Sequence, residues 1–323
     1  MNKIAITMGE PRGIGPEVIV KALFCSEIRH HCNPIVIGDI GVMKKAVQLT
    51  RLPLKVVSIS DLSGSEPAMG RIEVIDIKAD LSGKSAASAG SGRAVVEYIR
   101  KAVELALSKE VKAIVTGPIS KESLKAAGYS WPGHTELLAD LTKTKDFTMM
   151  FVSDRLKVLL STIHVSLKDV PGIIDENLVL RTIEFAARGA DMLNIKNPRI
   201  AVAGLNPHAG ESGIFGKEET EAIIPAVQKA EDKGINVTGP HPPDVVFYKA
   251  LKGDFDMVVC MYHDQGLIPF KMLAFETGVN VTVGLPVIRT SPDHGTAFDI
   301  AWKNMANPSS IIEAIKLAAK LEI

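Results

Sequence analysis

Residues 4–17 read IAITMGEPRGIGPE, and this stretch decides the fold. Residues 4–7 form a short apolar, β-branched run, and the loop 9–17 follows it at once. A helix is expected to begin near Pro16, because proline suits the first helical turn. Glycines between strand and helix allow close backbone approach to an anion, and a simple strand-to-helix turn is the equal alternative. The same alternation recurs down the chain. Strands are expected at 4–8, 34–37, 55–58, 72–77, 113–116, 148–152, 157–162, 200–203, 257–261 and 279–283. Helical patterns fall at 94–107, 176–193, 218–232 and 310–321, and the small-residue stretch 82–92 reads as a mobile loop before the first of these. Strands alternating with helices imply βαβ units around a mostly parallel sheet, an α/β protein.

Composition narrows the function classes. The chain has 323 residues, 46% of them hydrophobic and 23% charged, as in a globular protein with a large core. Lys plus Arg equals Asp plus Glu at 37 each, so no global field favours nucleic acid or an anionic membrane. Three cysteines, Cys25, Cys32 and Cys260, are too few for a disulfide framework and are expected as reduced thiols. With no signal peptide pattern and no membrane-length apolar run, a cytoplasmic protein is expected.

Three of the eight histidines share one address. His164 follows KVLLSTI, His208 follows IAVAGL through Asn206-Pro207, and His263 follows MVVCMY, each just past an apolar strand. Open α/β sheets place ligand sites at the carboxyl ends of their strands. A single histidine there is more often a satisfied polar residue, but three at matching addresses favour a metal site. Glu211, Asp264 and Gln265 stand close enough in sequence to hold the imidazole tautomers. His30 and His31 read as surface residues. The spacing of Gly9, Gly13 and Gly15 is not that of a dinucleotide-binding fingerprint. Arg289, Thr290 and Ser291 suit a phosphate or carboxylate fork on a loop, and Lys271 lies eight residues past His263.

Seven motifs in order carry a resemblance: ITMGEPRGIGPE (6–17), PGHTEL (132–137), STIHVSL (161–167), LNPHAGE (205–211), YHDQGL (262–267), GVNVTVG (278–284) and LPVIRTSPDHGTA (285–297). With these the chain resembles the 4-hydroxythreonine-4-phosphate dehydrogenases of pyridoxal phosphate biosynthesis over nearly its whole length. GIGPE and HGTAFDIAWKNMANP also look like segments of isopropylmalate and isocitrate dehydrogenases, with Trp302-Lys303-Asn304 replacing the usual Gly-Lys-Gly.

The resemblance implies a two-domain isocitrate/isopropylmalate dehydrogenase-like α/β fold with the active site in a cleft between domains and at a homodimer interface. The first domain, 1–125 with 288–323, would be the cofactor side. The second, 126–287, would carry the metal ligands and the dimer interface. By resemblance, His164, His208 and His263 bind one divalent metal (zinc, magnesium or cobalt), shared between subunits. The segment 148–164, two strands flanking Ser153-Asp154-Arg155, is a candidate arm for reaching the partner. His134, Thr135, Lys271, Asn280 and Arg289 bind the phosphorylated substrate, with Lys271 and Asp244 assigned catalytic roles. Gly13, Gly15, His294, Gly295 and Asn307 fall in the cofactor segments, for NAD or NADP. The implied reaction oxidises the substrate hydroxyl to a β-keto acid that decarboxylates to 3-amino-2-oxopropyl phosphate. Residues 298–302 (FDIAW) look more like the branch that oxidises D-threonate or D-erythronate 4-phosphate to dihydroxyacetone phosphate. A metal-dependent hydrolase is the rival from another class.

Overall fold

The computed structural model describes residues 1–65, 68–83 and 85–323. Its strands are β1 (Lys3–Thr7), β2 (Asn33–Gly38), β3 (Lys55–Ile59), β4 (Arg71–Asp76), β5 (Ala113–Thr116), β6 (Thr148–Val152), β7 (Lys157–Leu160), β8 (Ile200–Ala203), β9 (Val237–His241), β10 (Met257–Cys260), β11 (Val279–Val283) and β12 (Ile288–Pro292). The helices are α1 (Gly15–Phe24), α2 (Ser26–His31), α3 (Ile40–Thr50), α4 (Ala89–Leu107), α5 (Lys121–Ala126), α6 (His134–Leu141), α7 (Val170–Ile173), α8 (Glu176–Met192), α9 (Ile224–Asp232), α10 (Pro243–Leu251), α11 (His263–Ala274) and α12 (Ser309–Lys320). The chain forms two compact units, Met1–Lys145 with Leu285–Leu321, and Asp146–Gly284 with Glu322–Ile323.

In the first unit the strands run β3-β4-β2-β1-β5-β12, all parallel. Their buried β-branched residues, such as Ile35, Val36 and Ile37, carry no polar alternation because helices cover the sheet. The chain leaves β1 for β2 on one side and returns to β5 on the other, so the loop after β1 lies at a reversal of strand order. Helix α4 begins at Ala89, five residues before the expected start, capped by the Ser88 hydroxyl accepting from the Ser91 N–H. The glycines that suggested a loop are there for packing. A Cβ on Gly92 would stand 2.1 Å from the Ser123 carbonyl oxygen, and one on Gly90 1.9 Å from that of Asp80. Of the stretch read as a mobile loop, Lys84 lies outside the described residues. Helix α6 packs on α4, so this unit extends beyond residue 125.

In the second unit the order is β11-β6-β7-β10-β8-β9. β7, β10, β8 and β9 are parallel, while β6 is antiparallel to both β11 and β7. The segment 148–164 is therefore no projecting arm, since β6 and β7 are flanked on both sides. Phe151 and Phe270 meet edge to face at 5.8 Å in a core with Val158, Leu160, Ala201 and Val258. Such a ring pair adds about 0.5–1.5 kcal/mol beyond its burial. β9 was hidden by its composition, VTGPH, since glycine and proline argue against a strand; it lies at the sheet edge, where proline is tolerated.

Candidate functional site

Strands β7, β10 and β8 lie side by side with Leu160 beside Cys260 and Val202 beside Val259, so their carboxyl ends are level. Each end delivers one of the three histidines. The His164 and His263 rings stand 5.9 Å apart and bound a cavity of about 460 Å3 with Ile163, Val165, Leu167, Val170, Tyr262 and Asp264. His263 Nδ1 lies 2.7 Å from the Asp264 carboxylate. A carboxylate only accepts, so Nδ1 carries the proton and Nε2 presents its lone pair. That donor chemistry fits a divalent metal. His208 points elsewhere, its ring 6.2 Å from that of Phe215. Among the described residues no three His, Cys, Asp or Glu side chains converge as a metal cage.

The other two neighbours singled out from the sequence behave differently from Asp264. Gln265 holds no imidazole; its Oε1 accepts from the Met261 N–H at 2.6 Å, and its Nε2 donates to the Gly204 carbonyl at 2.7 Å, tying β10 to the end of β8. Glu211 is exposed and lies in a left-handed turn of five residues, His208 to Ser212, with φ of 53°, 55°, 78°, 40° and 59°. Each L-residue in that conformation costs about 1–2 kcal/mol. Asp244 is exposed in the first turn of α10, which packs against this turn. Lys271 lies on α11 with its Nζ 5.8 Å over the Phe275 ring. Eight residues of helix carry it about 12 Å along the axis from His263. The Asn280 amide nitrogen donates to Met149 Sδ at 3.3 Å, and its Oδ1 is buried without a partner.

In the first unit, Arg289 sits within strand β12 and is 2% exposed, so the expected loop fork is corrected to a buried strand residue. Its Nε and Nη2 both donate to Thr116 Oγ1, at 3.2 and 2.8 Å. Thr116 closes β5, next to β12, and was not singled out by sequence because a threonine ending a strand is unremarkable there. Burial pushes the guanidinium down to about 10, opposed by the charge of Glu136. It stays protonated at neutral pH. His134 opens α6, with Thr135 buried beside it. Desolvation and then the Arg289 charge hold its imidazole well below the usual histidine range, against a bond with the Gly117 backbone. Its Nε2 is buried and makes no hydrogen bond.

The two segments that the resemblance assigns to the cofactor meet within this unit. The Ile14 N–H donates to the Thr296 carbonyl at 3.0 Å, and the Ala306 N–H to Glu17 Oε1 at 2.8 Å. A Cβ on Gly13 would lie 3.0 Å from the Thr296 carbonyl oxygen, and one on Gly15 2.3 Å from that of Met8, so both glycines serve chain packing. A Cβ on Gly295 would meet nothing within 4 Å, so packing does not require this glycine. Asn307 Oδ1 accepts from the Ser309 N–H at 2.9 Å, an Asx turn leading into α12. Trp302 and Asn304, at the positions of the usual glycines, have φ of 61° and 60°, a left-handed backbone that glycine adopts more readily.

No helix among the described residues is long and apolar enough to cross a membrane. The family model for pyridoxal phosphate biosynthetic protein PdxA matches residues 30–318. A 4-hydroxythreonine-4-phosphate dehydrogenase from Desulforapulum autotrophicum is 48% identical, covering 98% of this chain and 94% of its own. A D-threonate 4-phosphate dehydrogenase from Cupriavidus necator is also 48% identical, covering 98% of this chain and 96% of its own. The crystal structure of 4-hydroxythreonine-4-phosphate dehydrogenase from Klebsiella pneumoniae superposes with a TM-score of 0.92 at 42% identity, covering 99% of this chain and 98% of that one. The chain is an oxidoreductase and belongs to the family of pyridoxal phosphate biosynthetic protein PdxA.

Proposed function

We propose that the chain oxidises the secondary hydroxyl of 4-hydroxythreonine 4-phosphate with NAD or NADP, giving a β-keto acid that loses carbon dioxide to leave 3-amino-2-oxopropyl phosphate. The observation that carries the reading is that three adjacent parallel strands end level and each is followed within five residues by one of His164, His208 and His263. His164, His208 and His263 would hold zinc, magnesium or cobalt, which when bound would supply Lewis-acid polarisation of the hydroxyl, and a bound nicotinamide would supply the hydride acceptor. Asp264 fixes the His263 tautomer. Arg289, rigid and desolvated, holds phosphate or carboxylate in a planar fork, and neutral His134, whose ring proton faces the Gly117 backbone, presents Nε2 as an acceptor for a substrate hydroxyl. Thr135, Asn280 and Lys271 complete the substrate contacts. Lys271 and Asp244 are the groups assigned to move the proton. Gly13, Gly15, His294, Gly295 and Asn307 line the cofactor segments.

The active unit is proposed to be a homodimer with the metal site shared between subunits. Ile268, Met272 and Phe275, spaced along one face of α11 and its end, are 58%, 81% and 75% exposed. Val165 and Leu167, just after His164, are 43% and 67% exposed. Clustered exposed apolar side chains of this kind mark an interaction surface.

The equal identity to the D-threonate relative favours D-threonate or D-erythronate 4-phosphate as a second substrate reading. Nicotinamide reduction followed in parallel with all three phosphates, each with NAD and NADP and each metal, separates them. Turnover of 4-hydroxythreonine 4-phosphate at the highest kcat/KM is the expected result. Preference for a sugar-acid phosphate would replace the amino-acid assignment.

A further inference from the structure

His208 reaches its place through the left-handed turn 208–212, and four of those five residues carry a Cβ that disfavours it. Holding such a turn requires something outside it. Glu219 is placed to do so. It is 1% exposed, and its Oε1 accepts from the backbone N–H of Leu205 at 2.8 Å and of Asn206 at 2.7 Å. Its Oε2 accepts from Asn206 Nδ2 at 2.9 Å, while the same amide group donates to Glu218 Oε2 at 2.8 Å. The neighbouring backbone is shaped around this carboxylate. A Cβ on Gly210 would stand 2.6 Å from Glu219 Oε2, and one on Gly204 would stand 3.2 Å from Oε1 and 2.8 Å from Ala209 Cα. Glu219 also opens a single π-helical turn, Glu219–Ile223, just before α9, and such turns gather at functional sites.

We infer that Glu219 is a positioning residue for His208: its carboxylate clamps Leu205 and Asn206 and thereby fixes the left-handed turn that presents the imidazole. The inference rests on the reading of His208 as a metal ligand. Glu219→Gln keeps the shape of the side chain but sets an amide NH2 against the Asn206 amide or the two backbone N–H groups.

Cobalt(II) titration of the full-length protein, followed by its visible absorbance, tests the clamp. Loss of a group that orients a ligand typically weakens metal binding about 10–100-fold, and that is the fall expected for Glu219→Gln, with a changed cobalt spectrum. Gly210→Ala, which presses on the same carboxylate from the turn, should act in the same direction. Val227→Ala, a buried α9 residue, should lower the melting temperature and leave cobalt affinity unchanged, which separates positioning from general destabilisation. Wild-type affinity and spectrum in folded Glu219→Gln or Gly210→Ala would overturn the clamp alone. Wild-type affinity in His208→Ala would instead remove the reading on which the clamp rests, and the clamp with it.

Discussion

The two units hold their proposed site residues in opposite ways. In the first, Arg289 is 2% exposed on strand β12, fixed by two bonds to Thr116 and neighboured by a desolvated His134. In the second, His164 and His208 are exposed, and only His164 and His263 come together. On the proposed reading, the contrast separates an anion site that would be complete within one chain from a metal site that would draw on a partner. Arg289 is already held by its neighbouring strand, whereas two imidazoles and a third facing Phe215 would need a further ligand to close a metal site.

The sharpest way to break that contrast is to mix inactive subunits. Each of His208→Ala and His263→Ala should lose activity by at least the roughly 10–100-fold typical of milder second-sphere losses. Because His164 and His263 meet within one chain, His208 is the ligand expected from the partner. Mixed dimers of the two variants then carry one intact site and one doubly damaged site. With random exchange, about a quarter of wild-type activity should return. No recovery in a mixture shown to have exchanged subunits would place all three ligands in one chain.

Much of this architecture was legible in sequence. The strand-end histidines could be found because short β-branched runs mark parallel strands and the next polar residue marks their carboxyl ends. What escaped depended on tertiary context. Arg289-Thr290-Ser291 is polar, yet lies in a buried strand, because the guanidinium is satisfied by Thr116 from the neighbouring strand. Gly90 and Gly92 signal a loop locally but serve close helix packing. The failure of the trio to converge was also invisible, since the left-handed turn at His208 has only one glycine within it to announce it.

Arg289→Lys tests the finished side of the contrast. Lysine keeps the charge but cannot make two bonds to Thr116 Oγ1 while presenting a planar edge to an anion. Hydrogen bonds to charged groups are worth about 1.5–3 kcal/mol, which corresponds to a rise in KM for the phosphorylated substrate of roughly 10–100-fold. Initial rates across a full substrate titration measure it. An unchanged KM would reduce Arg289 to a structural residue of the strand. His134 gives a smaller, pH-dependent effect. Its imidazole is held well below the ordinary value of 6.5 in the folded chain. As pH falls through the unfolded value, the unfolded chain takes a proton that the native chain refuses, so native stability falls. Denaturant melts from pH 7.5 to 5 should lose up to about 1.4 kcal/mol per pH unit below 6.5 from this group. His134→Asn should flatten that part of the profile; an identical slope in the variant would count against a buried neutral imidazole.

The smallest expected effect concerns Asn307, where a packing role and a cofactor role compete within the first unit. Its Oδ1 accepts from the Ser309 N–H and, at 2.7 Å, from the Ser309 hydroxyl, so the residue starts α12. Asn307 is exposed, and losing one such local bond typically costs about 0.5–1.5 kcal/mol. Asn307→Ala should therefore lower the melting temperature by a few degrees in either case. The two roles separate in the nicotinamide titration. If Asn307 also touches the cofactor, KM for NAD or NADP rises in the variant while the KM for the phosphorylated substrate holds, since Arg289 and His134 are untouched. If it serves only the turn, both KM values stay at wild type and the melting shift stands alone. That second outcome would confine the cofactor contacts to residues 294–296 and the Gly13 loop, which the Ile14–Thr296 hydrogen bond already joins.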